Sequence, residues 1–358
     1  MKEVFVDDLL QSNGCEVEVV LSGWICAKRH QGKVLFLDVC DSTGKIQAVI
    51  AKSNVSPDTF QLARSLTVES GITVKGVIAF SAQGVREIIA GEVILVGDVT
   101  KDFSPHPRGN IDIFDESLIP HLLDNRHIYL RNPKVMAILQ FRDCLMHHMR
   151  QWFYNNRFTS IDAPILTPVP LYDDGTAMSI NIHTEKVFLT QCVGYYLEAA
   201  VHAFERVFNI GPSFRGEESR SKRHLMEYWH IKAEVAWADL DDIIKSVESI
   251  VSYVTEKCQE ETTGMLSILG TKLCTDGLAV PFPRISYEEA VKLCESQDSR
   301  RSFVIKSACN SWFFGITLAW CNCSTKREGT TMLSRQSSHL FHKSQHLLQP
   351  ARLWQIRA

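Results

Sequence analysis

The sequence predicts an α+β protein in two parts: a small five-stranded β-barrel at the N-terminus, then a larger region where long helices flank a strand–loop–strand hairpin. Three observations carry this reading. Between residues 16 and 98, short apolar or alternating runs recur with turn residues between them. From Pro133 the apolar spacing changes to that of a helix. Phe204 to Glu234 then reads as two strands around a loop crowded with charge.

Val17 to Trp24, Lys33 to Asp41 and Lys45 to Ala51 alternate or run apolar, and Asp41 to Gly44 marks the turn between the second and third strands. Residues 57 to 67 carry helical spacing, and Ile72 to Phe80 and Val85 to Val96 supply two more strands. Five strands with one helix between the third and fourth suit a barrel of the oligonucleotide-binding type, an OB-fold, over residues 1–103. The proline-containing stretch that follows is read as a linker, residues 104–120. Downstream, Met136, Leu139, Phe141, Leu145, Met149 and Phe153 mark a long helix, and Phe158 to Pro168 is extended. Val187 to Gln191 is a strand and Gly194 to Ala203 a helix. After the hairpin, Asp239 caps a second long helix to Glu260, and Ser286 caps a shorter one to Glu295. This larger region spans 121–296.

A chain of 358 residues, 45% apolar and 22% charged, suits two domains with buried cores. A net charge of −3 excludes bulk electrostatic binding of nucleic acid, so such a partner needs a local basic patch. No apolar run reaches the ~20 residues of a membrane span, and no membrane partner is expected. Met1 to Gly14 lacks the pattern of a secretory or Arg-rich transit signal, which predicts a cytoplasmic location. The 11 cysteines are mostly isolated among apolar neighbours, as at Cys26, Cys40 and Cys144, which fits free thiols rather than disulfides. Cys321 and Cys323 have no second pair at zinc spacing, so no metal site is assigned.

The hairpin carries the chemistry. Arg215, Glu217, Glu218, Arg220, Lys222, Arg223 and His224 crowd its loop, and Glu227, Tyr228 and Trp229 open the return strand. Guanidinium forks match phosphate oxygens, an aromatic face stacks on a purine, and a carboxylate accepts from an exocyclic amine. The set suits a nucleoside triphosphate; a salt-rich surface hairpin is the plain alternative. In order and spacing the segment closely resembles motif 2 of the class II aminoacyl-tRNA synthetases, in the subclass for aspartate, asparagine and lysine. Phe214, Arg215 and Glu217 match its opening, and Glu227 and Tyr228 its close. Arg223, His224 and Leu225 match the aspartate/asparagine branch. The resemblance implies ATP as substrate, with Arg215 as the catalytic cation on the α-phosphate and Glu217 on the adenine amino group. It puts Arg223 and His224 at the γ-phosphate, stacks Tyr228 on adenine, and brings in Mg2+ with no ligands assigned.

The resemblance extends outward. Leu123-Asp124-Asn125-Arg126 and Leu130-Arg131 look like the family's entry to the catalytic domain. The helix from Pro133 and the segment to Pro168 resemble motif 1, with Pro164 as its proline, which implies a two-fold homodimer through this segment. The implied core is an antiparallel sheet flanked by helices. In the barrel, Gly23-Trp24 begins a likeness to the anticodon-binding domain, so tRNA is the implied partner. Lys28 and Arg29 are its cations there, and Phe36 and Gln47 the pair that stacks on and hydrogen-bonds a central anticodon uracil.

The resemblance implies that Leu189 to Glu198 frames the amino acid, with Gln191 and Glu198 as contacts. Aspartate enzymes place a Lys at the Leu197 position; asparagine enzymes of the archaeal and eukaryotic cytosolic type have Leu-Glu, as Leu197-Glu198 here. A Glu accepts from an asparagine amide and repels an aspartate side chain. Asparagine and tRNA(Asn) are therefore implied, with aspartate the alternative. Gly194 departs from the family, which usually has Gln there. Asp173, Asp174 and Gly175 replace a Glu-Gly-Gly loop, so Asp174 is the candidate for the substrate ammonium, against a solvated acidic turn.

Residues 297–358 differ in kind. From Arg301 onward there are eight Lys or Arg against a single acid, Glu328, and no periodicity persists. A frame change, a retained intron or alternative splicing accounts for such a shift; a basic extension is the alternative. The family's third motif, a Gly-rich run ending in an ATP-clamping Arg, has no counterpart: beyond Glu295 the glycines are Gly315 and Gly329. The core is thus expected to be incomplete at its C-terminus, which puts the activity of this chain in question. A non-catalytic tRNA-binding paralogue or a truncated product is the reading from another class.

Overall fold

Period-two alternation closes the N-terminal strands into a barrel. The computed structural model describes residues 4–11, 17–99, 111–170, 175–217, 225–273, 275, 278–284, 286 and 316–318. The chain divides into two units, residues 1–107 and 108–358. In the first, helix α1 (Val6–Gln11) precedes β1 (Glu18–Gln31), β2 (Val34–Cys40), β3 (Lys45–Ala51), helix α2 (Pro57–Ser65), β4 (Gly71–Phe80) and β5 (Arg86–Gly97). The barrel order is β1-β2-β3-β5-β4. One long strand closes it: Glu18 to Trp24 of β1 pair with β4, and Trp24 to Gln31 pair with β2. Leu35, Leu37 and Val39 point into the core with Ile46, Ala48 and Ile50, while the residues between them face outward. Gly76 is required where β4 shifts register against β5, because a Cβ there would lie 2.2 Å from the Ile89 carbonyl oxygen. Helix α1, which the sequence reading omitted, adds Val6 and Leu9 to this core.

The second unit is built on two long helices and a hairpin. A 3-10 turn (Glu116–Leu118), α3 (Ile119–Asp124) and α4 (Arg126–Tyr129) lead into α5 (Pro133–Asn155). Part of the stretch read as linker is thus folded, with Ile113 buried against Leu122, Tyr129 and Val135. The Asn132 side chain caps α5 by accepting from the Lys134 N–H, and Pro133 takes a first-turn position where no N–H is needed. Short strands β6 (Thr159–Ser160) and β7 (Leu166–Thr167) follow, then β8 (Ser179–Ile182), β9 (Glu185–Leu189) and α6 (Gly194–Phe204). The hairpin itself is β10 (Arg206–Phe214) and β11 (Glu227–Val235), antiparallel over nine residue pairs. Strand β6 joins β10 in parallel, and β12 (Ile316–Leu318), from the tail, joins β11 in parallel.

Helix α7 (Leu240–Glu261) begins with the expected cap at Asp239, reinforced by a reciprocal bond from Asp242, and α8 (Thr263–Ile268) follows it. One face of the hairpin packs on α5 and α7: Phe208, Ile231 and Ala233 meet Met149, Trp152, Phe153, Ile250 and Val254. Phe153 stacks on Phe208 with ring centroids 4.3 Å apart, and Trp152 donates to the Ser249 hydroxyl at 3.0 Å. The helix expected from Ser286 to Glu295 lies outside the described residues.

Candidate active site and nucleic-acid face

Because one face of the β10–β11 hairpin is committed to the core, the alternate residues form the other. Asn209, Gly211 and Ser213 of β10 stand opposite Lys232, His230 and Tyr228 of β11, and Val207 opposite Glu234. Tyr228, His230, Lys232 and Glu234 therefore lie on one side of one strand. Arg215 follows directly, its backbone N–H held by the Met226 carbonyl at 2.9 Å. The Arg215 guanidinium is 3.7 Å from Glu217, and both are partly open to solvent. The Tyr228 ring sits 5.8 Å from His230, whose Nδ1 is 3.2 Å from the Ser213 hydroxyl. Burial, then the cations of Lys232 and Arg215, push His230 down to about 4. It is a neutral ring at physiological pH.

The wall of the site is the segment before α6. Thr190 accepts the Phe214 N–H at 2.9 Å, and the buried Gln191 amide donates to Thr176 at 2.9 Å. Thr176 in turn accepts the Gly216 N–H at 2.8 Å, which ties this segment to the Arg215 end of the hairpin. Lys232 is buried, 3.4 Å from the Cys192 sulfur and 3.7 Å from Glu234. Its Nζ would lie 2.5 Å from a Cβ on Gly194. Burial pushes Glu234 up to about 7 against the pull of Lys232, and Glu198 adds to the push. One Glu234 oxygen is buried with no hydrogen-bond partner. The wall thus offers an ammonium and carboxyl groups together, the donor–acceptor pair that a carboxamide needs.

The sequence-predicted residues divide as follows. Arg215, Glu217, Tyr228, Gln191 and Glu198 belong to this one surface. Leu197 is fully buried, clustered with Val193, Val201 and Val207. Asp174, Arg223 and His224 lie outside the described residues. His230, Lys232 and Glu234 were missed; their signal is three polar residues at every second position of an otherwise apolar strand. The cleft along α7, about 630 Å³ and lined by Ser252, Glu256, Gln259 and Thr263, contains none of these groups. Among the described residues, Glu217 and Glu234 each lie beside a cation and Glu198 lies near Glu234, so no Mg2+ ligand set is assigned here. No step is routed through a metal.

In the barrel unit, Phe36 faces outward between the core positions Leu35 and Leu37. Arg29 pairs with it across β1 and β2 and holds its guanidinium 5.7 Å from the ring centroid. Arg29 also donates to Gln47 at 2.6 Å, and Gln47 donates to Glu87 at 3.0 Å. Arg29, Phe36 and Gln47 therefore form one outer patch. Lys28 is not part of it. Its ammonium donates to the carbonyls of Arg64 and Leu66 at 2.6 and 2.7 Å, at the C-terminal end of α2, because neighbouring strand residues point to opposite faces.

The chain thus joins an OB-type barrel to a unit built on a hairpin that carries Arg215, and comparison with known proteins shows the family. Residues 120–344 match the family model described as tRNA synthetases class II (D, K and N), and residues 19–96 match the OB-fold nucleic acid binding domain. The chain belongs to the class II tRNA synthetases of the aspartate, lysine and asparagine group. The match continues into the stretch that composition sets apart. The asparagine--tRNA ligases of Desulforamulus reducens and Pyrococcus abyssi are each 35% identical over 283 residues, 78% of this chain. The chain spans 64% of the length of these curated relatives. The crystal structure of asparaginyl-tRNA synthetase from Pyrococcus horikoshii complexed with asparaginyl-adenylate superposes with a TM-score of 0.73 at 31% identity, covering 84% of this chain and 68% of that one. Among the described residues, no helix is long and apolar enough to cross a membrane.

Proposed function

We propose that this chain is an asparagine--tRNA ligase by family and site: the reaction of such an enzyme joins asparagine to ATP as asparaginyl-adenylate and passes the acyl group to tRNA(Asn), and turnover by the 358-residue chain is low because residues 297–358 hold no counterpart of the third motif. The observation that carries this is the shared surface of Arg215, Tyr228, Lys232, Glu234 and Glu198. The asparagine carboxylate attacks the α-phosphate in line, and pyrophosphate leaves. A ribose hydroxyl of the terminal adenosine then takes the acyl group. Neither step uses a protein nucleophile. Catalysis is positioning plus stabilisation of the charge that builds on the α-phosphate, the task of Arg215. Glu217 accepts from the adenine amino group, and Tyr228 stacks on the ring. Arg223 and His224 reach the γ-phosphate, and Asp174 holds the substrate ammonium.

The carboxamide is read by two kinds of group: the Lys232 ammonium donates to its oxygen, and Glu198 or Glu234 accepts from its nitrogen. On the barrel, Arg29, Phe36 and Gln47 bind the anticodon. The active form is a homodimer through α5 and the extended segment after it, and it works in the cytoplasm. A second reading, aspartate as substrate, is favoured by the Lys232 ammonium, which pairs with a carboxylate. Thermal unfolding in the presence of ATP separates the two. Asparagine raises the midpoint more than aspartate does; an equal or larger shift with aspartate removes the asparagine assignment.

A further inference from the structure

Outside the hairpin, helices α5 and α7 bring a second set of side chains together. The two run antiparallel: Trp152 of α5 meets Ser249 of α7, and His148 meets the Tyr253 ring. One turn further along, Cys144 reaches Glu261. Cys144 and His148 are four residues apart on α5, and Cys258 and Glu261 three apart on α7, so each pair stacks on one helix face. One ligand atom each from Cys144, His148 and Glu261 lies within 4.8 Å of the others. The Cys144 sulfur is 3.7 Å from the Glu261 carboxylate, and His148 Nε2 is 3.0 Å from it. The Cys258 thiol, buried beneath, contacts that of Cys144.

The histidine is the telling residue. Its side chain is 7% exposed, yet neither ring nitrogen makes an aligned hydrogen bond. A buried imidazole beside two thiols, with Nε2 in reach of one carboxylate and Nδ1 making no hydrogen bond, has a nitrogen to offer a cation. Ligands around a tetrahedral zinc ion, at bonds of about 2.0–2.3 Å, stand roughly 3.3–3.8 Å apart. The Cys144–Glu261 spacing already meets this, and a rotamer change of the exposed Glu261 opens the short one to His148. Sulfur and nitrogen donors select a borderline cation over Mg2+ or Ca2+.

We propose that Cys144, His148 and Glu261, with Cys258 as fourth ligand, bind a divalent zinc-type ion that clamps α5 to α7. The site is separate from the hairpin chemistry and does not depend on it. With ligands from both α5 and α7 and with His148 and Cys258 buried, it is structural. Glu261, at the solvent edge, is the entry side.

The test is titration of the purified full chain, kept reduced, with Co2+ as a spectroscopic stand-in and then with Zn2+. One equivalent of Co2+ gives the intense visible bands of a tetrahedral thiolate complex, Zn2+ displaces them, and Zn2+ raises the unfolding midpoint by roughly 5 °C. Cys144→Ser abolishes the bands, and Glu261→Gln, at an exposed position that leaves the fold intact, weakens Co2+ binding at least tenfold. Cys321→Ser with Cys323→Ser leaves the bands unchanged. Absence of the bands in the native chain, or their persistence in both Cys144→Ser and Glu261→Gln, overturns the proposal.

Discussion

The ammonium of Lys232 occupies the space a side chain on Gly194 would fill: a Cβ there would meet Nζ at 2.5 Å. The two residues come from different elements, the first turn of α6 and the middle of β11, so the small one and the long one are a matched pair. Gly194→Ala forces Lys232 out of its place and costs on the order of 1–2 kcal/mol. Combined with Lys232→Ala the same change is neutral or favourable, because alanine is the better helix former by roughly 1 kcal/mol. A denaturant double-mutant cycle measures this. Additivity within about 0.5 kcal/mol means the residues do not share the space.

Glu234 and His230 set opposing pH dependences. Glu234 is raised from 4.5 to about 7, so between those values the folded chain holds a proton the unfolded chain lacks, and stability falls as pH rises. His230 is lowered from 6.5 to about 4, so over that range the unfolded chain binds the extra proton, and stability rises with pH. Unfolding free energies from pH 4 to 8 show partial cancellation in the native chain. Glu234→Gln leaves stability that climbs with pH, and His230→Gln leaves stability that declines. Parallel curves for the two variants contradict the assignment.

The strands and long helices were legible because burial imposes a period: the alternation from Val34 to Cys40 and the spacing from Met136 to Phe153 are the core itself. Helix α1 was missed since six residues show little periodicity. The site was legible where charge is conspicuous, in the loop around Arg215. Lys232 and Glu234 were passed over because their setting depends on cross-strand neighbours and on Gly194, 38 residues before Lys232 in the chain. Lys28 stands apart from the Phe36 patch for the same reason: only the fold brings it to the end of α2.

Phe36→Ala tests the barrel face. Phe36 lies outside the barrel core, so its loss leaves the unfolding midpoint nearly unchanged. It lowers tRNA affinity by roughly 1–3 kcal/mol, the value of one stacked base. Lys28→Ala does the reverse, lowering the midpoint through the end of α2 with little effect on tRNA. A Phe36→Ala chain that unfolds early while Lys28→Ala loses tRNA exchanges the two roles.

Residues 296–358 contain no Gly-rich run ending in arginine, the partner that the resemblance sets beside Arg215. Losing one well-placed donor costs about 10²–10³ in rate. The 358-residue chain accordingly shows little asparagine-dependent pyrophosphate exchange. Robust exchange means that the tail, of which Ile316–Leu318 lie beside β11, supplies another phosphate clamp.

Binding is separable from turnover, and it is the most direct measure of the central claim. Calorimetric titration of the native chain with the non-hydrolysable sulfamoyl analogues of asparaginyl-adenylate and aspartyl-adenylate places both reactants at the hairpin in one molecule. The asparaginyl analogue binds at least tenfold more tightly than the aspartyl one, and Arg215→Ala weakens it by about 2–3 kcal/mol, the scale of a charge-assisted hydrogen bond. No binding of either analogue, or tighter binding of the aspartyl compound, contradicts the account.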